Sequence, residues 1–388
     1  MIKILHTADN HLDPSLAMFR HKIMERKMDF WLSFKKVLEY AEKAKPHIML
    51  ISGDLYDRVN PRNPPRVNIL KAFRHLSNIG VKVLLIGGHH DTPRSVEEGA
   101  SPLEELAASG HAVYLSGVKK PSYEHIKVGD VDVCVMGLTF NFWVNAGEDP
   151  LENVTFKQEG DFNILMLHYP IEDFTSTYRS GDPVVKLSRI PKWVDYVAAG
   201  HLHRYQKARK GGTLIVYPGS TERKSFLEEK DEVKGFVWIE VDSPGLKDLK
   251  LRFIEVPTRK MMTLTYSLSP SSKTPISDVV SYARRNADRN AILRLKVTGK
   301  VSLDVLTRYR REAVIRSLMD SFFTVILDDR DLRYEAERVE IAERLTPLTA
   351  FREYMDKLIE KESDPERREI LEIAKDVGLR RLEEAGAW

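Results

Sequence analysis

Ile48-Met49-Leu50-Ile51-Ser52-Gly53-Asp54-Leu55-Tyr56-Asp57 runs from a short apolar segment straight into a glycine and two carboxylates. An uninterrupted apolar run of this length, closed by a turn residue, reads as a strand buried on both faces. The same arrangement recurs along the chain. Ile2–His6 leads to Asp9-Asn10-His11, and Val81–Ile86 leads to Gly87-Gly88-His89-His90-Asp91. Ile164–Leu167 ends in His168, and Tyr196–Ala199 runs into Gly200-His201-Leu202-His203. Further apolar runs at Val131–Leu138, Leu214–Tyr217, Phe236–Val241 and Leu249–Val256 read as strands without such an ending. Between the first strands lie helical patterns. Met24–Ala44 places Met28, Trp31, Leu32, Phe34, Val37, Leu38 and Ala41 near one face, and Val67–Leu76 gives a second helix. Alternation of strand and helix predicts an α/β layer architecture. The later strands follow one another with little helix between them, which predicts a second sheet packed on the first.

In open α/β sheets, ligands bind beyond the carboxyl ends of the strands. Five strands therefore deliver carboxylates and imidazoles to one edge. A lone Asp-X-His or Gly-Asp turn is common on any surface, but the set in this order, each at a strand end, is not. A mixture of carboxylate and imidazole suits Mn, Fe, Zn or Co, whereas an oxygen-only cage would suit Mg or Ca. Seven or so ligands are too many for one ion. Two ions about 3.5–4 Å apart, sharing a carboxylate, would activate water and stabilise both oxygens of an in-line displacement at phosphorus.

The chain has 388 residues, more than the roughly 100–200 of one ordinary domain. Lys plus Arg total 60 and Asp plus Glu 57, a net charge of +3, so any nucleic-acid surface must be local rather than global. Cys134 is the single cysteine, which excludes an intrachain disulfide, and its apolar run marks it as a small buried hydrophobe. The chain opens on a strand with no signal-peptide pattern, and no segment approaches the roughly 18 apolar residues of a membrane helix. The expectation is a cytoplasmic protein.

After Pro257 the pattern changes. Met261–Ser267, Ile276–Ala283, Ala291–Val297, Leu303–Met319 and Phe322–Leu327 read as a compact β-α-β-α-β unit over Pro257–Arg333. From Tyr334 the chain is helical in tendency. Thr346-Pro347 and Ser363-Asp364-Pro365 each form an N-cap followed by a proline in the first turn. Two charged amphipathic helices follow, the first with Leu348, Phe351, Tyr354, Met355, Leu358 and Ile359 on one face. The second carries Ile370, Leu371, Ile373, Ala374, Val377 and Leu382.

These motifs, with Tyr217-Pro218-Gly219-Ser220 after the last histidine pair, resemble the calcineurin-like metallophosphoesterases. Within them, the order of motifs and the later units look like the double-strand-break repair nucleases of the SbcD and Mre-eleven type. The resemblance spans essentially the whole chain. It implies a four-layer α/β/β/α sandwich over residues 1–256, a small α+β capping, DNA-binding domain over 257–333, and a linker and helix-loop-helix over 334–388. It implies a metal-dependent DNA exo- and endonuclease of a repair complex, nucleoid-associated in a prokaryote. Two divalent ions are expected, Mn first among Mn, Fe, Zn and Co. Carried over by position, Asp9, His11, Asp54 and His203 would hold one metal, and Asp54, His89, His168 and His201 the other. His90 would act at the transition state, with Asp91 orienting it. Three positions depart from the pattern: His89 stands where the family has Asn, Asp57 where the repair nucleases often carry a His that helps the nuclease step, and Asp13 where Gly is common.

The resemblance further implies that the C-terminal helices grip the coiled coil of an ABC-type ATPase (SbcC-like, Rad-fifty type) through Leu348, Phe351, Tyr354, Met355, Leu358, Ile370, Ile373, Val377 and Leu382. It also implies a homodimer through Met24–Ala44 and Val67–Leu76. Basic residues near the motifs are candidate DNA contacts: Arg58, Arg62 and Arg66, Arg204 and Lys207, and Arg223 and Lys224. Two other readings stay open. One is a phosphoesterase acting on a small molecule or protein; the other is a scaffold weakened by His89.

Overall fold

The computed structural model describes residues 1–174, 182–231, 233–242, 249–334 and 346–386. The first sheet has six strands, with β1 (Ile2–Thr7), β2 (Ile48–Ser52), β3 (Lys82–Ile86) and β4 (Val113–Tyr114) running parallel. Against β1 lie two antiparallel strands, β11 (Gly235–Val241) and then β12 (Leu249–Glu255). The second sheet takes β5 (Ser122–Val128), β6 (Val131–Gly137), β7 (Phe162–Leu167), β8 (Tyr196–Ala199), β9 (Gln206–Lys210) and β10 (Thr213–Tyr217), in the order β5-β6-β7-β8-β10-β9. Strands β6, β7, β8 and β10 are parallel, and β5 and β9 close the edges antiparallel.

Each central strand alternates its side chains between two cores. Ile4, Ile48, Leu50, Leu84 and Ile86 meet Val133, Val135, Ile164, Met166 and Ala198 between the sheets. On the other face of the first sheet, Leu5, Met49, Ile51, Val83 and Leu85 pack under α1 (Ile23–Ala44), α2 (Asn63–Asn78) and α3 (Pro102–Ala108). The outer face of the second sheet, with Met136, Leu165, Leu167, Val197 and Tyr217, is covered by Phe140, Leu151, Ile171, Val185, Ile190 and Val194. Among the described residues this fourth layer is loop and one short 3-10 turn, Leu187–Arg189. Its apolar residues come from a segment punctuated by prolines at 150, 170, 183 and 191, which cannot continue a helix.

Helix α1 ends on Lys45 in the left-handed region (φ 47), whose N–H closes onto Ala41 O. It buries Phe30, Phe34, Val37, Leu38 and Ala41. Met28 and Leu32, expected on that face, are exposed, and so is Met24. They fall on an i, i+4, i+8 stripe one step round from the core, and the wide apolar arc of α1 exceeds what the sheet covers.

A third sheet follows Val256, with its own core. In it β13 (Met261–Ser267), β14 (Asp288–Val301) and β15 (Phe322–Asp328) are parallel, and the short β16 (Leu332–Tyr334) also pairs β14. Helix α4 (Pro275–Arg284) packs on it through Val279, Val280 and Ala283. The single helix expected over Leu303–Met319 is two, α5 (Leu303–Arg308) and α6 (Arg311–Leu318). The break falls where Tyr309 takes an extended backbone, buries its ring in the core, and sends its hydroxyl to Asp329 at 3.3 Å. Leu16, Phe19 and Phe30 of the first unit join Met261 and Ile292 in a small shared core. Arg259 reinforces the contact, donating to Asp29 at 2.7 Å.

Helices α7 (Pro347–Lys361) and α8 (Pro365–Glu384) pack on each other. Thr346 and Asp364 cap them, accepting from Thr349 N (3.3 Å) and Glu366 N (3.0 Å). Met355 is buried, and the Phe351 ring lies against Gly378, so a side chain there would push the ring aside. The one face expected for α8 is split. Leu371 and Leu382 are half-buried, while Ile370, Ile373 and Val377 are exposed.

Candidate metal centre

The ends of β1 and β2 meet the ends of β7 and β8 across the two sheets. His168 Nδ1 donates to Ser52 O at 2.7 Å across the sheets, and within the second sheet Gly200 N donates to Leu167 O at 2.9 Å. A side chain at Gly200 would collide with Ser52 O and the His168 ring, and one at Gly88 with Asp54. These glycines let the ligand-bearing turns close up. Asp9 (φ 51), His11 (φ 46), Asp54 (φ 52) and His201 (φ 92) occupy the left-handed region that non-glycine residues avoid. Such backbone persists only where neighbouring structure enforces it, and it collects at functional sites. Here it is enforced by Asp9 N donating to Gly53 O (3.1 Å) and His11 N to Asp54 O (2.9 Å).

Among the described residues, three groups of metal-ligating side chains meet here, each with ligand atoms within 4.8 Å of one another: Asp9, His11 and His203; Asp9, Asp54 and His168; and His11, Asp57 and His90. Asp9 belongs to the first two. Asp54 Oδ2 reaches toward both too, 3.3 Å from His168 Nε2 and 3.7 Å from His11 Nε2.

The imidazoles are held from behind. His11 Nδ1 pairs with Asp57 Oδ1 at 2.9 Å, His203 Nδ1 with Glu228 Oε1 at 3.0 Å, and His168 Nδ1 with Ser52 O. In each case the far nitrogen is engaged and Nε2 is turned inward, which is how proteins prepare histidine for a metal. His168 Nε2 is shut off from solvent with no hydrogen bond meeting it. His11 Nε2 and His203 Nε2 face each other at 3.0 Å. Lone pairs converging with buried carboxylates fit divalent cations. Burial alone would depress the basicity of His168, but the charges of Asp54 and Asp9 overcome it and raise it. The same carboxylates would draw a metal ion.

His90 stands beside this group. Its backbone N–H donates to Asp54 Oδ1 at 2.7 Å, and its ring Nδ1 donates to the Asp57 carbonyl at 3.1 Å. Asp57 therefore steadies both His11 and His90, and Ser15 N also donates to it at 2.8 Å. The role expected of Asp91 shifts accordingly. Asp91 is fully buried and accepts from Gly88 N (2.7 Å) and Tyr56 N (3.3 Å), so it shapes the turn carrying His90 rather than the ring itself. Burial, then the charge of Asp54, raises its affinity for a proton.

His89 and His201 lie beside these groups without joining them. His89 packs against Phe140 and Phe142, each ring centroid 5.3 Å away. Burial in this apolar setting lowers its basicity, to about 4. His201 turns Nε2 toward Asp182 at 3.4 Å, while its backbone N–H donates to both Asp9 oxygens at 3.1 and 3.0 Å.

The basic candidates separate. Arg204 and Lys207 are exposed, the latter on β9. Arg62 pairs with the buried Asp13 at 2.9 Å, and Arg66 with Glu105. Arg58, with Asn60, His89, His90 and Arg94, lines a cleft of about 360 Å³ beside the centre. Arg223 is buried, donating to Thr258 and to Asp231 O at 2.6 Å, so it braces the chain rather than presenting a phosphate contact. Lys224 enters the centre: its Nζ pairs with Asp57 and lies 3.4 Å from both His11 Nδ1 and His90 Nε2.

A buried set behind His203 has no motif signature. Glu228 accepts from Ser220 Oγ (3.0 Å), Lys224 N (3.0 Å) and the buried Lys234 (2.6 Å) besides serving His203. Burial opposes its ionisation, but Lys234 and His203 hold it well below the usual carboxylate range. Nothing in the sequence marks them: Glu228 and Lys234 bound the charged run Glu228-Glu229-Lys230-Asp231-Glu232-Val233-Lys234, which reads as solvated surface.

The fold and this centre define a metallophosphoesterase. The chain belongs to the calcineurin-like phosphoesterases, whose family model matches residues 2–205. It is 27% identical over 315 residues to the "DNA double-strand break repair protein Mre11" of Sulfolobus acidocaldarius, covering 79% of this chain and 78% of that one. It is 22% identical over 404 residues to the protein of the same name from Saccharolobus solfataricus, covering 97% and 95%. With the Methanocaldococcus jannaschii protein of that name it shares 27% over 265 residues, 66% of this chain and 68% of that one.

Proposed function

We propose that this chain is a metal-dependent DNA nuclease of a double-strand-break repair complex. The observation that carries the reading is the pair of ligand groups sharing Asp9, with His90 and Lys224 beside them. Relatives named as break-repair proteins along most of the chain's length narrow the substrate to DNA. The full ligand set in this reading is Asp9, His11, Asp54, His89, His168, His201 and His203, with Mn the physiological ion. Two such ions would supply an activated water and neutralise charge at phosphorus. His90 would protonate the leaving oxygen or neutralise the phosphate. Lys224 would place an ammonium against the same phosphate, and Asp57 would hold His11, His90 and Lys224 in register. Arg58, Arg204 and Lys207 would contact the backbone of the DNA without reading bases. The unit over 257–333 would flank that path as a capping domain.

The exposed stripe Ile370, Ile373 and Val377, with the neighbouring Tyr354, suits the groove of a partner coiled coil, that of an ABC-type ATPase. The stripe Met24, Met28 and Leu32 on α1 suits a homodimer face. The experiment is digestion of linear duplex DNA by the purified chain loaded with Mn, against chelated protein and a His90→Ala variant. Mn-dependent cleavage lost in the variant is expected. Hydrolysis of a generic phosphodiester with DNA left intact would move the reading to a small-molecule phosphoesterase. Loss of both activities, restored by His89→Asn, would mark a weakened scaffold.

A further inference from the structure

A second cluster of ligand-type side chains lies on the outer edge of the second sheet. His125 on β5 and Cys134 on β6 are direct cross-strand partners, and Glu159 lies in the turn before β7. One imidazole nitrogen, the Cys134 Sγ and one Glu159 oxygen all fall within 4.8 Å of one another. His125 Nε2 is 3.2 Å from Glu159 Oε2. Nitrogen and oxygen ligands each roughly 2.0–2.1 Å from a tetrahedral ion lie about 3.4 Å apart, so the spacing matches two ligands on one ion. The other ring nitrogen, Nδ1, is held by Asp132 Oδ2 at 2.9 Å, the carboxylate–histidine support that orients metal-binding imidazoles.

The turn is tied to the hairpin independently of any ion. Asp161 N donates to Asp132 O at 2.8 Å, and Asp132 N to Asp161 Oδ2 at 2.9 Å. At Gly160 a side chain would strike the Cβ and backbone N of Cys134, so glycine lets the turn lie directly on β6 at that residue. Asp132 Oδ1 is shielded from solvent and meets no hydrogen-bond donor, an unmatched lone pair beside the cluster. Cys134 is fully buried at the inner end of the cluster, while His125 and Glu159 open to solvent.

We propose that His125, Cys134 and Glu159 bind a zinc-class divalent ion separate from the catalytic centre, at a site preformed where the turn at 159–161 lies on the β5–β6 hairpin. Thiolate, imidazole and carboxylate together select Zn(II) or Co(II) over Mg(II) or Mn(II). Solvent completes the fourth position. Binding displaces the thiol proton and the Nε2 proton that Asp132 and Glu159 favour on His125, and both leave to solvent. Burial pushes the Cys134 thiol up to about 11, so the ion must compete for the sulfur and binding strengthens as pH rises.

Cys134 is the single cysteine of the chain, so a thiolate-to-cobalt charge-transfer band can arise nowhere else. Metal-stripped full-length protein is titrated with Co(II) and read in the near ultraviolet, with bound metal counted after gel filtration. The expected result is a charge-transfer band. It should disappear in Cys134→Ser and fall sharply in His125→Ala and Glu159→Gln, with one fewer equivalent of cobalt bound and Mn-dependent activity unchanged. The two exposed-site variants carry the test if Cys134→Ser fails to fold. Absence of the band in folded wild-type protein, or a band unaffected by His125→Ala, overturns the proposal and leaves a cross-strand ion pair only.

Discussion

His6 sits on β1 three residues before Asp9 and joins both sheets: Nδ1 meets Tyr196 Oη on β8 at 2.8 Å, and Nε2 meets Ser52 Oγ on β2 at 3.0 Å. It is completely buried, and desolvation lowers its pKa from 6.5 to about 3. In the unfolded chain it takes up a proton near 6.5, whereas in the folded chain it stays neutral until far lower pH. Its contribution is therefore fully present above pH 6.5 and is lost as pH falls from there toward 3. At pH 5, some 1.5 units below the unfolded value, the loss is ~2 kcal/mol at 1.36 kcal/mol per unit. The assay is urea unfolding of metal-stripped protein at pH 8 and pH 5, followed by tryptophan fluorescence, on wild type and His6→Gln. His11 and His89, whose pKa values burial lowers to about 4, titrate alike in both proteins and cancel in the comparison. Wild type should lose about 2 kcal/mol more than the variant between the two pH values. Equal losses would falsify the reasoning, because they would mean that the ring is charged, or solvated, in the folded state.

Asp57→Asn removes the charge that His11 Nδ1 (2.9 Å), His90 Nδ1 (3.4 Å) and Lys224 share, while keeping the carbonyl contact to His90; activity at saturating metal is expected to fall roughly 10–100-fold, the usual cost of a lost supporting carboxylate. Gly200→Ala should yield folded protein with reduced bound metal, since its methyl group must displace Ser52 O or the His168 ring; metal content measured after gel filtration checks this, and a full complement would refute it. Met355→Ala, at the residue that α7 buries, should cost the α7–α8 pair about 2–5 kcal/mol and be seen as earlier proteolysis of the C-terminal segment, while Ile373→Asp on the exposed face should leave proteolysis unchanged.

The parts of this molecule that could be read along the sequence are those in which one residue type has one physical outcome. Ile48–Ser52 and Tyr196–Ala199 are apolar runs and Met261–Ser267 alternates Met262, Leu264 and Tyr266, and all three form strands with those same limits. Thr346-Pro347 and Asp364-Pro365 start helices where cap and proline coincide. Strand β4 escaped because it is only two residues long, and β5 and β9 because an edge strand is half polar and its pairing, not its composition, makes it a strand. Arg26 and Glu222 escaped for the opposite reason. Charged residues read as surface, yet Arg26 is completely buried against Asp29 (2.9 Å), Glu222 (3.2 Å) and the carbonyl of Arg223.

The metal centre divides along the same line. Asp9, His11, Asp54, His168 and His203 stand out because each follows a buried strand, and a strand end is a position the sequence can mark. Glu228, Lys234 and Lys224 reach the centre only when the segment after β10 folds back over it, a distance of more than twenty residues from His203 for Glu228. That separation has a chemical consequence. Strand ends fix where the inward nitrogens point, but the returning segment supplies the charges behind and beside them: Glu228 on His203, and Lys224 against Asp57. A variant that loosens this segment should therefore disturb His203 and His90 chemistry while leaving the Asp54–His168 pair, which is carried wholly by β2 and β7, in place.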